Sequence, residues 1–356
     1  MQHNLSKVRY IVAIAAGKGG VGKSTLALNL ALYFQKRGYQ VGLMDADLYG
    51  PSLNKMLPEE IPSIQHPELQ ERIIPAVSRC IRLISMAYFL HPEDPATVRA
   101  PIANGIIKQF IHLVDWGELD FLFIDFPPGT GDIQLTLIQE GSISGAIIVT
   151  TPQEVALLDV ARSVNMFRQM EVPLIGVVEN MSYYQVSGGE ILYPFGQGGG
   201  ERFALENELF FLGKIPIDGA ISRCCDEGKS LFEEESSSAA GAIASIGEKV
   251  REQLEAFTKL ESEFFIREIH QKDFHGFTIE WSDGKMSNYR LSDLQRRCPC
   301  ARCRGEKSGK ESIDDDVEAI RIGRVGSYAL QIFFTKGCSK GIYPFSMLRQ
   351  ICHEGS

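Results

Sequence analysis

Three groups of residues in this 356-residue chain have types and spacings suited to chemistry. The first is Gly17-Lys18-Gly19-Gly20-Val21-Gly22-Lys23-Ser24-Thr25. It fits the phosphate-loop pattern G-x-x-x-x-G-K-[ST]. Its glycines keep side chains out of the way, so backbone N–H groups can close on an anion. Lys23 would set its charge on the β- and γ-phosphates, and the Ser24 hydroxyl would take a magnesium position. Thr25 is placed for the α-phosphate. Lys18 has no role in the general pattern.

The second group is acidic. Asp45 and Asp47 stand two apart after the run Val41-Gly42-Leu43-Met44, and Asp125 ends the run Phe121-Leu122-Phe123-Ile124. Carboxylates at the C-terminal ends of parallel strands lie where such sheets collect ligands. One of the Asp45/Asp47 pair can hold a magnesium water shell while the other orients an attacking water. Asp125 has the form of a strand-end acid reaching towards magnesium. The loop Phe126-Pro127-Pro128-Gly129-Thr130-Gly131-Asp132 follows it, stiffened by proline and suited to sensing a γ-phosphate. The third group is Cys298, Cys300 and Cys303, whose C-x-C-x-x-C spacing brings three thiolates to one point.

The elements that must position these groups alternate. Short apolar runs predict strands over 10–16, 41–44, 120–125, 146–150, 174–178 and 210–215. Helices are expected over 26–37, 102–114, 155–169 and 239–260, with Gly38 capping the first. Residues 56–80 read as an irregular excursion. Strand and helix in alternation imply an α/β fold with a doubly wound, mostly parallel sheet. Near residue 260 the pattern changes to short strands. Residues 278–285 resemble 331–338, and each run leads to a helix-like end, at 291–296 and 345–351. Two similar β-hairpins packed together is the simplest architecture. The expected division is 1–260, a nucleotide-binding domain, and 261–356, a small β-rich domain.

Composition narrows the function. The net charge of −9 argues against broad nucleic-acid binding. No apolar run approaches the roughly 18–20 residues of a membrane span. The first residues show no leader pattern, so a cytoplasmic setting is expected. There the eight cysteines read as thiols or metal ligands. Cys80 and Cys352 look like packing residues, and Trp281 looks like core. Cys224-Cys225 reads as two ordinary thiols, with a cluster site shared across a dimer as the sharper alternative.

Residues 8–258 resemble the Mrp/ApbC family of P-loop ATPases, in the larger group of MinD, ParA and the nitrogenase iron protein. The resemblance rests on the phosphate loop, on Asp45-Ala46-Asp47-Leu48-Tyr49-Gly50-Pro51-Ser52, on residues 125–132, on Thr151-Pro152-Gln153-Glu154-Val155-Ala156 and on Glu179-Asn180-Met181-Ser182. It implies an ATP- and magnesium-dependent homodimer in which Lys18 reaches the partner's nucleotide. It implies that Asp47 orients the attacking water, that Asp45 and Asp125 serve magnesium, that Asn180 reads the adenine edge and that Pro216 packs near the base. It also implies assembly and delivery of iron–sulfur clusters to apoproteins. The acidic net charge, and residues 349–356, too short and mixed for an amphipathic anchor, lead us to expect no membrane or nucleic-acid partner. Family members carry C-x-x-C after the Asn-Met-Ser stretch. This chain has Tyr183-Tyr184-Gln185-Val186-Ser187-Gly188-Gly189, with no cysteine. The bridging cluster of the family therefore does not carry over.

Residues 264–353 resemble a small β domain found at the N-terminus of γ-butyrobetaine hydroxylases. There a histidine supplies a fourth zinc ligand, and Cys338 stands in its place. Four thiolates suit structural zinc or an iron–sulfur cluster. Two rival readings remain: a MinD/ParA-type positioning switch, and an ATP-gated partner-binding module with structural zinc alone.

Overall fold

The computed structural model describes residues 4–47, 50–57, 63–65, 72–89, 100–186, 188–234, 237–263, 266–299, 303, 316–325, 329–339 and 341–353. Leu48, Tyr49 and Cys300 lie outside them. The chain divides into two compact units, Met1–Leu254 and Glu255–Ser356.

The first unit opens with β1 (Val8–Ala16), buried from Tyr10 onwards as a strand covered on both faces must be. The phosphate loop leads into α1 (Lys23–Lys36). Gly38, at φ 90°, ends α1. Its N–H donates to Gln35 O, and that of Tyr39 donates to Phe34 O, which satisfies the last carbonyls. There follow β2 (Val41–Asp45), α2 (Leu53–Met56), β3 (Ser63–Gln65), β4 (Arg72–Ile74), β5 (Ala76–Ser78), β6 (Ile81–Ser85) and α3 (Ala100–His112). Next come β7 (Leu119–Asp125), α4 (Asp132–Glu140), β8 (Gly145–Thr150), α5 (Glu154–Gln169) and β9 (Leu174–Glu179). The small hairpin β10 (Tyr184–Gln185) and β11 (Ile191–Leu192) precedes α6 (Gly199–Glu206), β12 (Phe211–Lys214), α7 (Gly219–Glu227) and α8 (Ser238–Glu263).

Eight strands form one sheet in the order β12-β9-β8-β1-β7-β2-β6-β5. It is parallel except at β5–β6. The mostly parallel α/β expectation is borne out, with two strands more than the six read from sequence. Arg82 interrupts the apolar run of β6, which hid it. Residues 72–78 of the expected irregular stretch are the short strands β4 and β5. Helices α4, α6 and α7 had not been anticipated. Phe34 of α1 packs on Phe121 of β7 with ring centroids 4.2 Å apart.

Cys80 is exposed, not packed. Arg79 and Cys80 form the two-residue turn between β5 and β6, both at positive φ, and that geometry turns the side chain outwards.

The second unit is a doublet. One half is β13 (Ile266–Asp273), β14 (Gly276–Trp281), β15 (Met286–Arg290) and α9 (Leu291–Arg296). The other is β16 (Ala319–Val325), β17 (Ala329–Phe334), β18 (Ile342–Pro344) and a final helix, α10 (Phe345–His353). Each half is a three-stranded antiparallel sheet. Both feed one core containing the buried Trp281 and Tyr343. The Tyr343 hydroxyl donates to Leu294 O, and that of Tyr289 donates to Leu348 O, so each half anchors the helix of the other. Trp281 is core, as its sequence context suggested, with its Nε1–H donated to Ser287 Oγ at 2.8 Å.

Candidate nucleotide site and thiolate cluster

The phosphate loop joins β1 to α1 at the C-terminal edge of the sheet. Gly17 is required for packing: a Cβ there would lie 2.3 Å from the carbonyl carbon of Asp159 in α5. Gly22, at φ 89°, turns the loop into α1. Lys18 is half-buried, Gly19 and Gly20 are exposed, and Val21 is buried. Lys18 has no ion-pair partner among the described residues. Asn180, just beyond β9, donates its Nδ2–H to Val21 O at 2.8 Å and so touches the loop directly. Two main-chain bonds, Ser182 N–H to Ile215 O and Ile217 N–H to Tyr183 O, zip the Asn180 segment to the one carrying buried Pro216.

Lys23 is buried, with its Nζ 2.6 Å from Asp125 Oδ1, 3.5 Å from Asp47 Oδ2 and 3.5 Å from Ser24 Oγ. Asp45 and Asp125 are register partners at the ends of β2 and β7. Burial, and then the charge of Asp125, pushes the Asp45 carboxyl up to about 7. Burial also pushes Asp125 up, against the opposing charge of Lys23.

The two carboxylates differ in their partners. Asp45 accepts from the N–H groups of Asp47, Ser52 and Leu53 and from the Ser85 hydroxyl at 3.0–3.3 Å. It thereby fixes the segment that carries Asp47. Asp125 Oδ2 is buried without a hydrogen-bond partner among the described residues. Buried carboxylate oxygens are rarely left so, and a hard cation is a partner suited to one. The residues present therefore fit magnesium, with Asp125 and Ser24 as those that would hold it.

Gln134, Glu179 and Asp218 also organise the site, and sequence reasoning passed over their roles. Gln134 donates to Pro127 O and Gly129 O and accepts from Gly131 N–H, which braces the Pro-Pro-Gly loop. Its bond from Gly131 N–H is the half of a capping box that a glycine N-cap allows, which is why the sequence carries no full capping-box signal here. Glu179 is buried and accepts from Ser182 Oγ and Gly200 N–H. Asp218 accepts from Ala220 N–H at 2.9 Å and Ala239 N–H at 3.2 Å, capping α7 and reaching the first turn of α8.

In the second unit the sulfurs of Cys298, Cys303 and Cys338 all lie within 4.8 Å of one another. Cys298 and Cys338 are 3.8 Å apart. Gly337, at φ 86°, makes the turn that presents Cys338, and Gln295 Nε2–H donated to Lys336 O holds that turn at 2.6 Å. Gly341 leaves room for the sulfur, since a Cβ there would sit 2.8 Å from Cys298 Sγ. Burial, and then the sulfurs of Cys298, Cys338 and Cys303, push the nearby Tyr343 hydroxyl up. Converging thiols are a donor set for zinc or an iron–sulfur cluster. Cys224 and Cys225 are buried in α7, where burial pushes Cys225 up to about 11; these are packed thiols.

Residues 7–251 match the model of the NUBPL iron-transfer P-loop NTPases of the ParA group, and 268–349 match that of the γ-butyrobetaine hydroxylase-like N-terminal domain. The iron-sulfur cluster carrier protein of Synechocystis is 41% identical over 254 residues, covering 70% of this chain and 72% of the relative. That of Pyrococcus horikoshii is 44% identical, covering 68% and 86%. The chloroplastic Fe-S cluster assembly factor HCF101 of Arabidopsis thaliana is 34% identical across 98% of this chain, which spans 65% of that protein. Among solved structures, a nucleotide-binding protein of Archaeoglobus fulgidus in complex with ADP aligns at 33% identity and a TM-score of 0.55. The alignment covers 65% of this chain and 91% of that one. The septum site-determining protein MinD of P. horikoshii, complexed with Mg-ADP, has a TM-score of 0.52 at 22% identity over 70% and 98%, a likeness of fold alone. With its phosphate loop, strand-end aspartates and sheet order in place, the chain belongs to the NUBPL-type iron-transfer branch of the ParA P-loop NTPases, joined to a domain of the γ-butyrobetaine hydroxylase N-terminal type.

Proposed function

We propose that this protein binds and slowly hydrolyses ATP, and that it carries or assembles iron–sulfur clusters for apoproteins. The observation that carries the reading is the pairing of a complete phosphate-loop site with three converging thiols in the same chain. Kinship with named cluster carriers and a cluster assembly factor supports it.

In the nucleotide site, Lys23 exchanges its bond to Asp125 for the β- and γ-phosphates. Asp125 and Ser24 would hold magnesium, which would supply charge neutralisation on the phosphates. Asp45 would serve that ion's water shell, and it holds the Asp47 segment in place. Asp47 orients the attacking water. The loop from Gly17 to Thr25 cradles the phosphates, and Asn180 and Pro216 flank the base. Lys18, free of an ion pair among the described residues, reaches the nucleotide of a second copy, so the working form is an ATP-gated homodimer. Cys298, Cys303 and Cys338, with Cys300 outside the described residues, form the metal site of the C-terminal domain. The domains are read as 1–260 and 261–356, a boundary inside α8 a few residues after the division of the compact units at Leu254, and the setting is cytoplasmic.

Anaerobic reconstitution with iron and sulfide tests the proposal. A cluster absorbance that passes to an apo-ferredoxin supports carriage. Zinc retained at one equivalent, with no cluster taken up under any nucleotide condition, overturns carriage and leaves an ATP-gated module with structural zinc. ATP-dependent sedimentation with vesicles or retention on DNA would instead support a positioning switch.

A further inference from the structure

The second unit holds another group of metal-ligating side chains, away from its cysteines in composition and place. Glu268 and His270 lie two apart on β13, and Glu280 lies on β14. Glu268 and Glu280 are direct cross-strand partners, and His270 stands opposite Thr278. Alternation along a strand sends Glu268 and His270 to one face, and register brings Glu280 to that same face. His270 Nε2 is 3.8 Å from Glu268 Oε2 and 3.6 Å from Glu280 Oε2. All three donor atoms fall within 4.8 Å of one another. Two ligands of one transition-metal ion, each about 2.1 Å from it, stand about 3–4 Å apart.

Two glutamates directly opposite on adjacent strands repel each other, and a positive charge between their carboxylates relieves that repulsion. Arg267 supplies one to the far side: its guanidinium is 3.1 Å from Glu280 Oε1, leaving Oε2 turned towards His270. A hydrogen-bonded carboxylate aimed in this way is how ligating carboxylates are commonly oriented.

We propose that Glu268, His270 and Glu280 form a binding site for a divalent first-row transition-metal ion such as Mn2+, Fe2+ or Zn2+. One imidazole and two carboxylates select these ions over magnesium or calcium, which take oxygen alone. Three protein ligands on an open sheet face leave further coordination positions to water. The site is independent of the thiol cluster and of the cluster-carrier reading. The rival arrangement is a protonated His270 bridging the two glutamates without metal.

The test is Mn2+ binding to the full chain without nucleotide, followed by electron paramagnetic resonance of the free ion. Manganese favours oxygen and nitrogen over thiolate, so it leaves the cysteines aside. Comparison with His270→Ala and with Glu268→Gln/Glu280→Gln cancels any binding at the aspartates of the nucleotide site. Wild type is expected to bind one Mn2+ more per chain than either variant, and Zn2+ to displace that ion. Broadening of the His270 ring resonances by substoichiometric Mn2+ places the ion at this residue. Equal stoichiometry in wild type and both variants, or His270 resonances that Mn2+ leaves sharp, overturns the proposal. The three side chains are partly or largely exposed, so thermal unfolding of the variants is expected to match wild type and to certify that they fold.

Discussion

Lys23 Nζ lies 2.6 Å from Asp125 Oδ1, so the cation that the phosphate-loop pattern directs at a nucleotide rests on a carboxylate of its own site. Asp47 Oδ2 stands 3.5 Å from the same nitrogen. On the proposed function nucleotide binding exchanges these contacts, and two predictions separate the partners. Lys23→Ala should weaken ATP binding at least about 100-fold, since charge-assisted contacts to phosphate are lost. Asp47→Asn should bind ATP within a few-fold of wild type while hydrolysis drops about 100-fold or more. Fluorescent-nucleotide titration and phosphate release measure the two. Wild-type turnover in Asp47→Asn would remove Asp47 from its role.

Gln134 braces the Pro-Pro-Gly loop through three hydrogen bonds to its backbone. Gln134→Ala leaves that loop unbraced without touching the phosphate loop. The expected outcome is unchanged ATP affinity, hydrolysis lowered about tenfold, which is about 1.4 kcal/mol of barrier, and faster hydrogen exchange at the amides of 129–131, since the two prolines before them carry none. Exchange at the wild-type rate there would show that the prolines alone hold the loop.

Asp218 tests the frame around Pro216. Burial alone would push its carboxyl up, but hydrogen bonds from Ala220, Ser237 and Ala239 outweigh it and hold the group below the usual carboxylate range. A depressed acid contributes stability above its unfolded value, about 3.9, and loses it as pH falls through the folded value. Asp218→Ala should therefore cost about 1–2 kcal/mol at neutral pH, the scale of a lost helix cap. The gap between variant and wild type should narrow below about pH 4. Urea unfolding at several pH values measures it, and a gap that widens in acid would contradict the assignment.

Thiol chemistry sorts the cysteines. Cys80 is exposed in its turn and should alkylate first in native protein at pH 8. Cys225, pushed up to about 11, holds only about 0.1% thiolate there and should stay unlabelled until unfolding. Cys338→Ser should lower metal content below that of wild type and raise labelling of Cys298 and Cys303. If metal content is unchanged, Cys338 is no ligand.

Much of this was legible in residues alone, because local chemistry sufficed. The phosphate loop is contiguous, so its glycines, Lys23 and Ser24 declared themselves together. The long apolar runs of β1, β7, β8 and β9 could only be buried parallel strands. The repeated β-rich halves of the second unit, with their helix ends at 291–296 and 345–351, were visible as sequence similarity. Short or interrupted elements were not: β6 carries Arg82, and α7 is brief and mixed in character. Cys80 was misjudged because apolar type was weighed above the turn that holds it.

Pattern therefore determined the class of chemistry, an anion-binding loop served by carboxylates and a separate group of thiols, since each depends on residues close together along the chain. Which partners those groups take is a property of the fold. Asp45 and Asp125 are eighty residues apart in number yet adjacent in register, and one is saturated with hydrogen bonds while the other keeps a bare buried oxygen. Cys298 meets Cys338 because the two halves of the second unit pack together, and Glu268 faces Glu280 because a hairpin register aligns them. Distances across a sheet or a core are set by burial and pairing, which spacing along the chain does not contain.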